Sequence, residues 1–248
     1  MTDPLLTIAA SDRVATVTLN RSAKRNALSR ELLRTLRALL ADFAADGMRA
    51  VVLAGAGGCF SAGADLAELD GTAGDIGFDD TLEEVVGEIL SAPYLVLAAV
   101  EGACVGAAFD LACACDARVV SSTAFFELPS VRLGLLYNPT AIARLHRLLP
   151  PATMRRLLLL GERIPGRDAV AAGIANKLVD ETQAVSAAQD IARSVVANPR
   201  ALCETKRLLR ALDDGGVDLA PWQALRKEML GSAERRTSLA AAKSRLRP

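Results

Sequence analysis

Gly55, Gly57, Gly58 and Gly63 follow directly on an apolar run, Val51-Val52-Leu53, and lead into Ala64-Asp65-Leu66. Glycines at that density let a backbone approach a ligand closely. If a helix starts at Ala64, the nearby amides sit at the positive end of a peptide dipole and stabilise an anion. A tight strand-to-helix turn that simply needs glycine fits the same residues. The design returns at Leu95–Val100, an apolar strand that runs through Glu101-Gly102-Ala103-Cys104-Val105-Gly106-Ala107-Ala108 into a helix reaching Cys115. Two such turns, side by side in a parallel sheet, could each offer one main-chain N–H to the same oxygen. That pair is an oxyanion hole, which stabilises negative charge as it builds on a carbonyl. Phosphate loops fit less well: Phe60 stands where a dinucleotide fingerprint needs a small residue, and no Gly-Lys-Ser/Thr is present.

Side chains able to move protons are few. Asp110 lies among Leu111, Cys113 and Ala114, where a carboxylate is costly unless it is hydrogen-bonded, functional or protonated. Aspartate near a helix start is also a common cap. Asp116 reads as a structural residue ending that helix. Glu127, in the strand-like run Ala124–Leu128, could supply an acid, and Ser130 can hydrogen-bond a water but is no base at neutral pH. Asn138 before Pro139 reads as an N-cap with proline at the first helical position. The single histidine, His146, sits in a helical run between Arg144 and Arg147 without a partner motif, so a nucleophile activated by histidine has little support. Five cysteines without CxxC spacing read as reduced buried thiols rather than a zinc site or disulfide set.

The blocks FSAGADLAELD (Phe60–Asp70), AAVEGACVGAAFDLACACDARV (Ala98–Val119) and AFFELPSVRLGL (Ala124–Leu135) resemble the crotonase superfamily, the enoyl-CoA hydratase/isomerase family. The resemblance extends from Asn26-Ala27-Leu28 through Gly161–Ile164 and Ala169–Ala175 to a helical C-terminus. It implies an α/β fold of the ClpP/crotonase type, built of repeated ββα units, with a core over 1–195 and a C-terminal helical region over 196–248. It also implies binding of acyl-CoA thioesters and stabilisation of an enolate at the thioester carbonyl by the amides of Ala64 and Ala107. Coenzyme A contacts would fall at Lys24, Arg25, Ala27, Ala62, Ala64, Asp65 and Leu66, the two cations meeting its phosphates. No separate cofactor and no metal are implied, and the family's usual unit is a homotrimer or a pair of trimers.

The departures from the family bear on the chemistry. Active hydratases carry two glutamates where this chain has Asp110 and Ser130. Dienoyl-CoA isomerases carry Asp, Glu and Asp at the positions of Asp110, Ser130 and Asn138. Gly106-Ala107-Ala108 stands where three glycines are usual. The expected activity is hydration of an enoyl-CoA, its reversal, or movement of its double bond, with Asp110 moving or orienting a proton. The alternatives are an acyl-CoA-binding protein without turnover and a thioester hydrolase.

Several elements must position these residues. Leu6–Ala10 and Val14–Leu19 form a hairpin about Ser11-Asp12-Arg13. Ser29 caps a helix whose Leu32, Leu33, Leu36, Leu39, Leu40 and Phe43 recur at helical spacing. Asp70–Asp80, with three glycines and four aspartates, reads as a loop beside the acyl pocket. Thr81-Leu82-Glu83-Glu84 then fits a capping box for the next helix. Further helices are expected over 141–149, 152–160, 168–172, 181–197, 201–212 and 219–246, with Lys177–Val179 as an extended link. Lys+Arg and Asp+Glu both number 29 in 248 residues, so net charge favours neither nucleic acid nor an anionic membrane. The apolar stretches are too short and charge-broken to span a bilayer, and without a basic segment before an apolar core at the start, a cytoplasmic location is expected.

Overall fold

The computed structural model describes residues 3–195 and 198–245. Strands β1 (Leu6–Ser11) and β2 (Val14–Leu19) form the hairpin. It turns on Asp12 and Arg13, both at positive φ (53° and 63°), as a two-residue type I′ turn requires. Helix α1 (Arg30–Ala45) starts where Ser29 accepts the Leu32 N–H, and it buries Leu32, Leu33, Leu36, Leu40 and Phe43. The chain continues through β3 (Ala50–Gly55), α2 (Ile76–Ser91), β4 (Leu95–Val100), β5 (Ala103–Val105), α3 (Ala107–Ala114), β6 (Ala117–Ser121) and β7 (Phe125–Glu127). It then forms α4 (Pro139–Leu148), α5 (Pro151–Leu158), β8 (Ile164–Pro165), α6 (Gly166–Ala169), β9 (Lys177–Val179) and α7 (Ala184–Val195).

Six strands make the main sheet in the order β1-β2-β3-β4-β6-β9, parallel from β2 onward. The runs AVVLAG and LVLAAV are apolar throughout because β3 and β4 are covered on both faces. A smaller sheet, β5-β7-β8, stands beside it. Successive segments leave the main sheet and pair again in this second layer: β4 leads to β5, β6 to β7, and β3 to Ser61, which bridges Cys104. A helix follows each excursion, giving the repeated strand–strand–helix unit of a mixed α/β fold.

Two expectations change in this region. The loop expected over 70–80 is confined to 70–75, where Asp75 accepts the N–H groups of Asp70 and Gly71 (both 2.9 Å) and Thr72 accepts that of Gly74, and residues 76–80 are helical. Thus α2 begins at Ile76, Phe78 joins its buried face, and Thr81 lies inside it, donating to the Gly77 carbonyl. Its hydroxyl caps nothing.

Residues 197–248 form a second compact unit, whose described elements are α8 (Pro199–Asp214), α9 (Ala220–Leu230) and α10 (Ala233–Arg245). The single helix expected over 219–246 is two, broken at Gly231-Ser232; residue 246, like 196 and 197 at the end of the helix expected over 181–197, lies outside the described residues. Leu208, Trp222, Leu225 and Met229 line an apolar hollow of about 440 Å³ within this unit.

Candidate functional site

The site grows out of the small sheet. Phe60 N–H donates to Glu101 O (2.7 Å), Ser61 N–H to Ala103 O (2.9 Å) and Val105 N–H to Ser61 O (3.2 Å), which fixes the two glycine-rich turns side by side. At Gly63 (φ +94°) an added Cβ would lie 2.5 Å from the Val105 carbonyl oxygen and 3.6 Å from the Ala107 nitrogen. Only glycine lets the turns approach so closely. Leu28 bridges Ala64, donating to Gly63 O and accepting from Asp65 N–H (both 2.8 Å). Gly106 donates to Glu127 O (2.9 Å) and takes φ 56°, ψ −122°, a conformation reserved for glycine. Among the described residues, no group of the chain accepts the N–H of Ala64 or of Ala107.

The structure separates the two turns in one respect. Ala107 is the first residue of α3, so its amide lies at a helix N-terminus, and alanine at 107 and 108 suits helical dihedrals. Ala64 does not start an α-helix. Asp65 instead caps a three-residue 3-10 turn, Leu66–Glu68, accepting the Ala67 N–H with Oδ1 while its Oδ2 accepts from Arg21 and Lys24. The Ala64 amide is left open by strand-like bridging rather than by a helix dipole.

Asp110, one turn into α3, has a side chain only 1 % exposed. It is no cap: both of its carboxylate oxygens accept from Arg144 Nη2 of α4, at 2.8 Å each. The same guanidinium pairs with Glu83 of α2 through Nη1 and Nη2, both at 3.0 Å. Burial pushes the Asp110 carboxyl up to about 6; Arg144 opposes this, while Glu83 and Asp79 add to it. Burial works against the Arg144 charge, but Glu83 and Asp110 outweigh it and hold the guanidinium protonated. Arg144 serves two carboxylates, whereas Asp110 shares its one cation with Glu83. The Tyr137 hydroxyl is pushed above its ordinary value by burial first and the Asp110 charge second, which places it in the same neighbourhood.

Of the residues expected to hold coenzyme A, Lys24, Arg25, Ala27, Ala62, Asp65 and Leu66 lie on one connected patch. Ala62 donates to Arg25 O (3.0 Å), and Asn26 Nδ2 donates to the carbonyls of Ala56 and Cys59 (2.9 and 2.6 Å). Arg25 takes a left-handed φ of 51°. Lys24 is turned toward Asp65, 3.3 Å away. Arg21 is closer to Asp65 at 2.7 Å, donates also to Ala27 O, and holds the Asp65 carboxyl below the usual range. Leu66 is 67 % exposed, an apolar side chain standing open beside the patch.

The remaining candidates fall away from proton chemistry or stand apart. Glu127 does not replace the missing acid, since Arg132 takes one of its oxygens (2.7 Å) and Arg163, stacked over Phe125, takes the other (3.0 Å). Its contribution to the site is its backbone carbonyl, which anchors Gly106. Ser130 is buried. Asn138 caps α4 through the Thr140 N–H (2.9 Å), with Pro139 behind it. His146 is exposed on α4. Asp116 accepts the Val96 N–H (2.7 Å), tying the end of α3 to β4. Cys104 and Cys113 are buried, and burial pushes both thiols well above their ordinary value, so neither is a nucleophile.

Sequence reading missed Arg21, Glu83, Tyr137 and Arg144. A signal for Arg144 existed: it shares a stripe with Ala141 and Leu145, both fully buried. A cation on an apolar stripe and an aspartate in an apolar helix each need the other.

The sequence pattern of the enoyl-CoA hydratase/isomerase family matches residues 9–229. A Mycobacterium bovis protein named "Probable enoyl-CoA hydratase echA6" is 34 % identical over 229 residues, 92 % of this chain and 90 % of its own. A carnitinyl-CoA dehydratase of Salmonella paratyphi A is 33 % identical over 171 residues, 68 % of this chain and 66 % of its own. The crystal structure of an enoyl-CoA hydratase from Mycobacterium smegmatis superposes with a TM-score of 0.87 at 27 % identity, covering 99 % of this chain and 98 % of that one. The fold, the paired turns and these likenesses agree: the chain belongs to the enoyl-CoA hydratase/isomerase family of the crotonase superfamily.

Proposed function

We propose that the protein binds the coenzyme A thioester of an unsaturated acid and acts on its Cα–Cβ bond, adding or removing water or moving the double bond. The observation that carries this reading is the juxtaposition of two open N–H groups, at Ala64 and Ala107, with Asp110 one helical turn beyond the second. In this scheme the two amides hold the thioester oxygen and stabilise the enolate as charge moves onto it. Asp110 gives a proton to Cα or takes one from the substrate. For hydration, water adds its oxygen to Cβ, and the proton it loses balances the one gained at Cα; for isomerisation a proton leaves one carbon and returns to another. Ser130 can hold a water but cannot deprotonate it at neutral pH, so Asp110 is the single proton carrier.

Lys24, Arg25, Ala27, Ala62, Asp65 and Leu66 form the proposed coenzyme A patch. Lys24 exchanges its contact with Asp65 for a phosphate, which Arg21 permits by keeping Asp65 paired. Residues 1–195 hold the chemistry in this reading, 196–248 are the helical accessory, and the working unit is a homotrimer or a pair of trimers, checked by light scattering. Calorimetry with short, medium and long enoyl-CoAs, followed by product analysis of each mixture, tests the function. Submillimolar binding with a hydrated or isomerised product is expected. A folded protein that binds none of them refutes the substrate class, and binding without turnover of any refutes the chemistry.

A further inference from the structure

We propose that Arg144 and Glu83 are positioning residues of this site, a guanidinium divided between two carboxylates that holds Asp110 in place and leaves it able both to take up and to release a proton. The use made of that proton rests on the enoyl-CoA reading above; the proton's location does not. Arg144 Nη2 has two hydrogens and three acceptors: Asp110 Oδ1 and Oδ2 at 2.8 Å and Glu83 Oε1 at 3.0 Å. One hydrogen must be shared, and the two Asp110 oxygens, equidistant at 2.8 Å, are the pair placed to share it. Each keeps lone pairs for a substrate proton or a water, while the carboxylate is held at both ends.

The charges lead to the same place. Arg144 on α4 brings one positive charge, against which stand Asp110 on α3 and Glu83 on α2. Asp79, also on α2, adds to the negative side, and the Tyr137 hydroxyl before α4 and the Cys113 thiol of α3 are further titratable groups that interact with Asp110. An arginine given wholly to Asp110 would fix it as a carboxylate, a good ion pair and a poor acid. No cation at all would leave a buried carboxyl fixed in its protonated form. Division with Glu83 places Asp110 between these extremes. Glu83, whose side chain is 26 % exposed, sits at the open side of the trio, where a charge change costs the fold least.

The two partners consequently have opposite effects, which a purely structural role does not predict. In the full-length protein, the pH titration of the Asp110 carboxyl carbon is followed by NMR, its signal assigned by loss in Asp110→Asn. Glu83→Gln gives Arg144 wholly to Asp110 and should lower the titration midpoint; Arg144→Gln should raise it, each by about one pH unit or more. Arg144→Lys should recover part of the wild-type midpoint. Midpoints that stay put, or that move the same way in both variants, overturn the proposal. If Arg144→Gln does not fold, Glu83→Gln decides alone, and an unmoved or raised midpoint overturns it. The pH profile of kcat on an enoyl-CoA should shift in the same order. Opposite NMR shifts in the two variants, beside a wild type without turnover, would support the charge division while refuting the proposed activity.

Discussion

Asp110 links the chemistry of the site to the stability of the fold, and the link has a definite sign. Its carboxyl titrates near 6 in the folded chain against an ordinary value of 3.8. Between those pH values the native state holds a proton that the unfolded chain has released. The stabilisation from this group is therefore complete below about pH 4 and is lost as pH rises through about 6. A difference of about 2 pH units at about 1.4 kcal/mol each amounts to about 3 kcal/mol. Asp110→Asn removes the titration and keeps an oxygen for Arg144 Nη2, so it serves as the reference. Urea denaturation of both proteins from pH 3.5 to 8, followed by far-UV circular dichroism, measures the difference, provided the denaturant slopes agree. Relative to the variant, the wild type should weaken by about 3 kcal/mol across the window and then level off. A flat difference would mean that burial and Arg144 cancel at Asp110. A wild type that gains on the variant as pH rises would mean that Arg144 wins outright, and the account of Asp110 as a poised acid would fail.

Three further outcomes follow from the same geometry. Asp110→Asn should lower kcat by about 10²-fold or more with acyl-CoA affinity nearly unchanged, as expected of a proton-transfer group; steady-state kinetics beside calorimetry would show it. Ala107→Pro removes one proposed oxyanion donor at the first position of α3, where a helix tolerates proline, and Gly106 has no Cβ to clash with the ring; kcat should fall by about 10²–10³-fold while circular dichroism stays unchanged. Gly63→Ala puts a methyl 2.5 Å from the Val105 carbonyl, so the turns must part, and both thermal stability and turnover should drop together.

The backbone half of this site was legible in the sequence because glycine and apolar runs speak about the backbone. Leu95–Val100 reads as a doubly covered strand from its composition, and Gly106 and Gly63 sit where the chain needs conformations or clearances that other residues lack. The side-chain half was not. Asp110, Glu83 and Arg144 lie on three helices far apart in the chain, and only the packing of α2, α3 and α4 brings Arg144 within 3.0 Å of both carboxylates. The start of α2 was misplaced for a related reason. Thr81-Leu82-Glu83-Glu84 satisfies the local rule for a cap, but burial of Phe78 and Thr81 draws the helix back by more than a turn, to a start at Ile76 that no side chain caps. At Glu127, alternation along the strand tells which way the carboxylate points but not that Arg132 and Arg163 hold it.

The division between backbone and side chain also explains which departures from the family the fold can absorb. An oxyanion hole made of N–H groups is indifferent to the side chains that carry them, so alanine at 107 and 108, both within α3, is compatible with the proposed hole provided Gly106 keeps its positive φ. Proton transfer has no such tolerance, since it depends on which acid is present and on the charge around it. In the proposed reading Ser130 brings no acid to the site, so the whole of the proton transfer falls to Asp110. A lone carboxyl that both donates and accepts protons works best when its two forms are close in free energy at the working pH. An unpaired buried aspartate would be too weakly acidic for that, and a singly paired one too strongly. Arg144 shared with Glu83 narrows the gap from both sides, so under the proposed function the two open amides and the altered acids describe one site in which proton handling falls to a single residue.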